Sequence, residues 1–193
     1  MTRKFFPSTD PLPSAAHVRE EVSSEQLSAW WKRVRHSRAL HLFEGFALNG
    51  HTPASVLSGI YSHPLTSDPV RALVLLNAAC FVRLLDRGAV SASVSQRHAA
   101  AQNRSTSPAR LRALCTDVHE SVAESAALNP STPTPALLVD RLLTSTSLRC
   151  VVVAQLCARP DGVDALEDYL LRSGLPVTRG QLPFEFLIRY LPE

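Results

Sequence analysis

The chain has 193 residues, of which 45% are hydrophobic and 19% charged, with a formal net charge of +3. A chain of this length buries roughly 70% of the surface its unfolded form exposes, so it can fold without a disulfide or metal staple, and its composition excludes a disordered polyelectrolyte. The positive charge is too mild and too dispersed for a dedicated nucleic-acid binder, which gathers basic residues on one face.

Residues 1–22 carry Pro7, Pro11 and Pro13 without periodicity and are expected to form an extended arm ahead of one helical domain over 23–193. Arg3, Lys4, Phe5 and Phe6 give way to Pro7 and Asp10, which suits neither a secretory signal nor a transit peptide, so a cytoplasmic or nuclear setting is expected. Ser23 with Gln26 three positions on reads as a capping box. From there Leu27, Trp30, Trp31 and Val34 recur at helical spacing, opposite Lys32, Arg33, Arg35 and His36. A break is expected at 36–38, then an apolar piece at 40–48 with Phe43 and Phe46, stopped at Asn49-Gly50.

Thr52-Pro53 opens a short helix holding Val56, Leu57 and Ile60. Asp68-Pro69 opens a longer one expected to run to Arg87 and to lie in the core, because Leu73, Val74, Leu76, Cys80, Phe81, Leu84 and Leu85 surround it. Residues 89–107, rich in Ser, Ala and Gln, read as a mobile connection with at most a weak helix. Ser107-Pro108 then opens an amphipathic helix with Leu111, Leu114, Cys115, Val118 and Val122 on one arc. Thr134-Pro135 begins a helix with Leu137, Leu138, Leu142 and Leu143, which weakens at 144–147 before the apolar block 148–158. That block has strand propensity at 151–153, but a lone strand has no ladder partner, so helix is preferred. Asp161 caps a helix through Val163, Leu166, Tyr169 and Leu170 to Gly174, and residues 183–191 form a last one.

The cysteines Cys80, Cys115, Cys150 and Cys157 make no C-x-x-C pair and read as buried thiols. The longest apolar segment, 72–82, is too short to cross a bilayer, so no transmembrane anchor is expected. The proline-marked starts at Thr52, Asp68, Ser107 and Thr134 are 16, 39 and 27 residues apart, which gives no constant period and disfavours a solenoid. The fold expected is all-α, a globular bundle of about seven helices around one or two buried ones.

No phosphate-cradling glycine loop, nucleophile elbow or metal-spaced histidine pair occurs, and Asp164, Glu167 and Asp168 sit where they complement a helix dipole. The expectation is therefore a non-enzymatic protein without cofactor or metal. Lys32, Arg33, Arg35 and Arg38 beside Trp30 and Trp31 suit a membrane or RNA surface in type, although a solvated basic helix face explains them as well.

From Thr134 onward the order of an amphipathic helix, a polar break, a buried helix opened by Arg149, another helix and a short terminal one resembles the C-terminal half of the Bcl-2 family, above all its divergent viral members. Thr146-Ser147-Leu148-Arg149 takes the place of that family's Asn-Trp-Gly-Arg motif, matching it at Arg149, and Gly180-Gln181-Leu182-Pro183 departs from its Asn-Gly-Gly-Trp stretch. The resemblance implies an apoptosis inhibitor that holds the amphipathic helix of a partner protein in an apolar groove. Arg149 would pair with the ligand's aspartate, and Leu138, Leu142, Val152 and Val118 would line the groove. The other reading is a structural subunit of a larger assembly.

Overall fold

This computed structural model describes residues 12–20, 22–37, 39–134, 156 and 158–172. Every regular element among them is an α-helix, and helix packs on helix as expected of a helical bundle. The chain divides into two compact units, Met1–Phe81 and Val82–Glu193.

The first unit holds α1 (Ala15–Arg19), α2 (Ser24–Val34), α3 (His41–Leu48), α4 (Ala54–Ser62) and α5 (Asp68–Leu76). Helix α1 thus interrupts the expected arm, with the Ser14 hydroxyl accepting from His17 N–H at its start. The expected Ser23 cap is present, its hydroxyl accepting from Gln26 N–H at 3.2 Å. Helix α3 packs against α1, α4 and α5. Its Leu42, Phe43 and Phe46 are fully buried, each worth about 1.5–3 kcal/mol of apolar transfer. The Trp31 indole meets Phe43 and Phe46 edge-on, with centroids 5.4 and 6.1 Å away. It can lie flat on α4 only because Gly59 has no side chain: a Cβ there would stand 2.7 Å from Trp31 Cζ2.

The second unit holds α6 (Val82–Ala89), α7 (Val94–Gln102), α8 (Pro108–Leu114), α9 (Glu120–Leu128) and α10 (Gly162–Arg172). Helix α7 packs against α6, α8 and α9. The core between them is built from small residues: Ala89, Ala100, Ala101, Cys115, Val122 and Ala126, with Leu114. Residues 89–107 therefore contain a buried helix instead of a mobile connection. Alanine contributes little to a leucine-and-valine stripe, yet it lets two helix backbones approach closely.

That approach serves one recurring hydrogen-bond pattern. The chain has four asparagines, Asn49, Asn77, Asn103 and Asn129, spaced by 28, 26 and 26 residues. All four are buried, and each ends a helix in an extended conformation. Asn49 Nδ2 donates to the carbonyls of Val18 and Glu20, at 2.7 and 2.9 Å. Asn77 Nδ2 donates to those of Ala47 and Asn49, at 2.9 and 3.0 Å. In the second unit Asn129 Nδ2 donates to those of Ala101 and Asn103, at 2.7 and 2.9 Å. Each Oδ1 accepts the N–H two residues on, at His51, Ala79, Ser105 and Ser131. Three residues after an asparagine, Thr52, Thr106 and Thr132 donate their hydroxyls to the carbonyls of Phe46, Ala100 and Ala126.

The expectation that no repeat exists is thereby corrected. Thr52 and Ser107 precede the first helix of a pair and Asp68 the second, so the compared starts mix two distances. A further start, after Asn77, carries no proline and went unmarked. The same asparagine explains why the helix expected over 68–87 is two: Asn77 ends α5 and spends its side chain on α3. Likewise the helix expected over 111–122 breaks after Leu114, where Asp117 Oδ1 accepts from His119 N–H and restarts the chain as α9. Cys80 and Cys115 are buried as expected, whereas Cys150 and Cys157 lie outside the described residues.

Replacing Asn77 or Asn129 by alanine removes two donor bonds and one acceptor bond and strands buried carbonyls, so each variant should lose about 2–4 kcal/mol in urea denaturation. Aspartate at either position should cost at least as much, because a carboxylate accepts but does not donate. Cys80 occupies the position of Thr52, Thr106 and Thr132, and burial raises its thiol pKa to about 11. Cys80→Thr, whose hydroxyl can reach the Val74 carbonyl six residues back, should gain about 1 kcal/mol, read as a higher thermal midpoint.

Candidate interaction surface

At each asparagine turn the last helical residue faces solvent, while the residue before it and the asparagine after it face the interior. Ala47, Asn49, Leu75, Asn77, Ala101, Asn103, Ala127 and Asn129 point in, and the residues between and after them point out. The position just before the asparagine is exposed in all four turns. Three times it is leucine: Leu48 is 49% exposed, Leu76 44% and Leu128 47%, with Gln102 at the fourth. A solvated loop would not be expected to place a large apolar residue three times at the same register.

A recess of about 250 Å³ lies beside these residues in each unit. In the first it is lined by Ala47, Leu48, Gly50, Leu73, Leu76, Asn77 and Ala78. In the second, of similar size, it is lined by Gln102, Arg104, Ser125, Leu128, Asn129 and Pro130. Counted from the asparagines, the two linings use the same register positions: 48 matches 102, 50 matches 104, 73 matches 125 and 76 matches 128. The first is nearly all apolar, and the second carries a guanidinium, two amides and a hydroxyl.

Away from the asparagine turns, the helix connections are held by arginine. Arg71, six residues before Asn77, donates to the carbonyls of Tyr61 and His63 at 3.1 and 3.4 Å. Arg97, six before Asn103, donates to those of Ser91 and Ala92 at 2.9 and 3.1 Å. Its Nε and Nη2 also grip Asp117 at 2.7 and 3.2 Å, in a pair whose side chains are only 14% and 9% exposed. Burial acts to raise the Asp117 pKa, but the hydrogen bonds from Arg97 and His119 and the Arg97 charge outweigh it and hold the carboxyl below the usual range.

Of the residues expected to form a groove, Val118 lies in the connection between α8 and α9, 92% exposed, and not on a helical arc. Arg149, Leu138, Leu142 and Val152 lie outside the described residues. Only Leu76 falls inside a longer expected helix, 68–87; Leu48 stands at the expected stop before Asn49-Gly50, and Leu128 just before the expected turn at Asn129-Pro130. The signal of the recurring leucine was available as Leu-Asn in Leu48-Asn49, Leu76-Asn77 and Leu128-Asn129. Among the described residues no helix is long and apolar enough to cross a membrane.

Because the Asp117 carboxyl titrates below its unfolded value of about 3.9, the pair stabilises the fold above that pH, and the contribution is lost as pH falls through the folded pKa. Asp117→Asn should lower stability by about 1–2 kcal/mol near neutrality. The gap from wild type should close on acidification below about pH 4, as followed by urea denaturation across pH. No family model matches this sequence, and no curated protein or solved structure shows significant similarity to it.

Proposed function

We propose that the chain is a non-enzymatic protein-interaction module, which each unit serves with the exposed side of its own asparagine turns. The observation that carries this reading is the repeated pairing of an outward leucine with a recess at the same register. A partner segment that seats an apolar side chain in the recess lined by Leu48, Leu73 and Leu76 removes those leucines from water, and the backbone beneath is already fixed by the asparagine bonds. Preformed concave sites of this kind favour binding, because little ordering entropy remains to be lost.

The narrower reading, capture of an amphipathic death-promoting helix beside Arg149, rests on the family resemblance. Arg149 also stands 52 residues after Arg97, twice the 26-residue spacing of the last asparagines, so its substitution is to be read for stability as well as binding. A panel of fluorescent amphipathic helical peptides, including death-promoting ones, distinguishes the readings. On the proposed surface, Leu76→Ser should weaken binding by tenfold or more, about 1.4 kcal/mol, while the unfolding midpoint hardly moves. Binding unaffected by Leu76→Ser and abolished by Arg149→Ala in a stably folded protein would transfer the site to the groove. No peptide binding, with firm co-purification in a complex, would favour the structural subunit.

A further inference from the structure

Asn49 is followed by Gly50, whereas Asn77, Asn103 and Asn129 are followed by Ala78, Arg104 and Pro130. The fold does not require this glycine. A Cβ at Gly50 would meet nothing within 4 Å, and the backbone there is not left-handed. What the glycine changes is chemistry, since its unshielded backbone nitrogen can approach the preceding side-chain carbonyl carbon more freely than that of any other residue.

We propose that Asn49-Gly50 is a self-modification site, a deamidation point gated by opening of the turn after α3 that pins the end of α1, whose conversion permanently releases α1. In the reaction the Gly50 nitrogen bonds to Asn49 Cγ, the Cγ–Nδ2 bond breaks, and ammonia departs with the Gly50 amide proton. Water then opens the resulting succinimide to aspartate or to its isomer with the backbone routed through the side chain. No oxidant, reductant or other co-reactant takes part.

The closed structure opposes the first step. Asn49 Oδ1 is held by His51 N–H at 2.8 Å, and Nδ2 by the carbonyls of Val18 and Glu20. The Asn49 backbone is extended, with ψ 119°. Swinging Cγ onto the Gly50 nitrogen breaks all three bonds, so the rate follows the open population. Conversion then matters, because α1 has only five residues. Beyond the two asparagine bonds it is held by buried Val18, packed on α3 where a Cβ at Gly45 would come within 3.2 Å, and by the exposed Arg19–Glu44 pair at 2.7 Å. An aspartate at 49 donates nothing to the Val18 and Glu20 carbonyls and places a charge where both carbonyl dipoles repel it.

The full chain incubated at 37 °C and mildly alkaline pH, native and in urea, can be read by peptide mass spectrometry for the one-dalton gain and by an isoaspartate-specific assay. The expected result is modification at Asn49 ahead of Asn77 and Asn103, with Asn129 inert because Pro130 offers no N–H. The native rate should be at least about tenfold below that in urea. Val18→Ala should accelerate the native reaction and Gly50→Ala should suppress it in both states without moving the thermal midpoint. The purified product should show faster proteolysis within 12–20 and a lower midpoint. Equal rates at Asn49, Asn77 and Asn103, equal rates native and in urea, or a product with unchanged midpoint and proteolysis would each overturn the proposal.

Discussion

A side-chain amide bridging two backbone carbonyls of the neighbouring helix end is the constraint on which each unit of this protein is built. Asn49, Asn77 and Asn129 each donate twice to the preceding turn and accept once from their own. A helix end buried without partners leaves carbonyls unsatisfied, at a cost of a few kcal/mol for each. Here one residue type satisfies the previous turn's carbonyls and its own turn's N–H together. The amide is short, so the two helix ends must come close, and the interior beside it is correspondingly small: Ala47 in the first unit, Ala100, Ala101 and Ala126 in the second.

The same constraint shapes the surface. The last residue of the helix that each inward asparagine ends faces outward, and so Leu48, Leu76 and Leu128 meet solvent although they are as apolar as the core. Their exposure results from the position and needs no local strain. The stability cost of leaving them uncovered is modest, and a partner that covers them recovers the apolar transfer term. Rigidity comes from the other end of the helix pairs, where Arg71 and Arg97 collect connection carbonyls and Asp117 fixes the Arg97 fork. The proposed interaction edge therefore rests on backbone pinned at both ends.

Much of the first unit is legible from sequence because large apolar residues mark it. Leu27, Trp31 and Val34, then Phe43 and Phe46, then Val56, Leu57 and Ile60 fall inward as their spacing implies. The second unit is less legible, since its interior is alanine, whose hydrophobicity barely separates a buried face from an exposed one. Part of the surface was obscured for a different reason. Leu76 and Val118 fit longer helices at correct spacing, and nothing local says that Asn77 and Asp117 end those helices. Their side chains find partners 20 to 30 residues away, at Arg97 for Asp117 and at Ala47 and Asn49 for Asn77.

Helical character, the apolar faces of the larger helices and several caps follow from residue order alone, because spacing along 3.6 residues per turn and Ser or Thr at helix starts act over a few positions. Where the helices stop, that they pair in a recurring register, and which leucines remain outside were decided by the assembled turns. A buried amide gains its hydrogen bonds only when another turn's carbonyls are already in place, and that proximity has no representation in a local stretch of sequence.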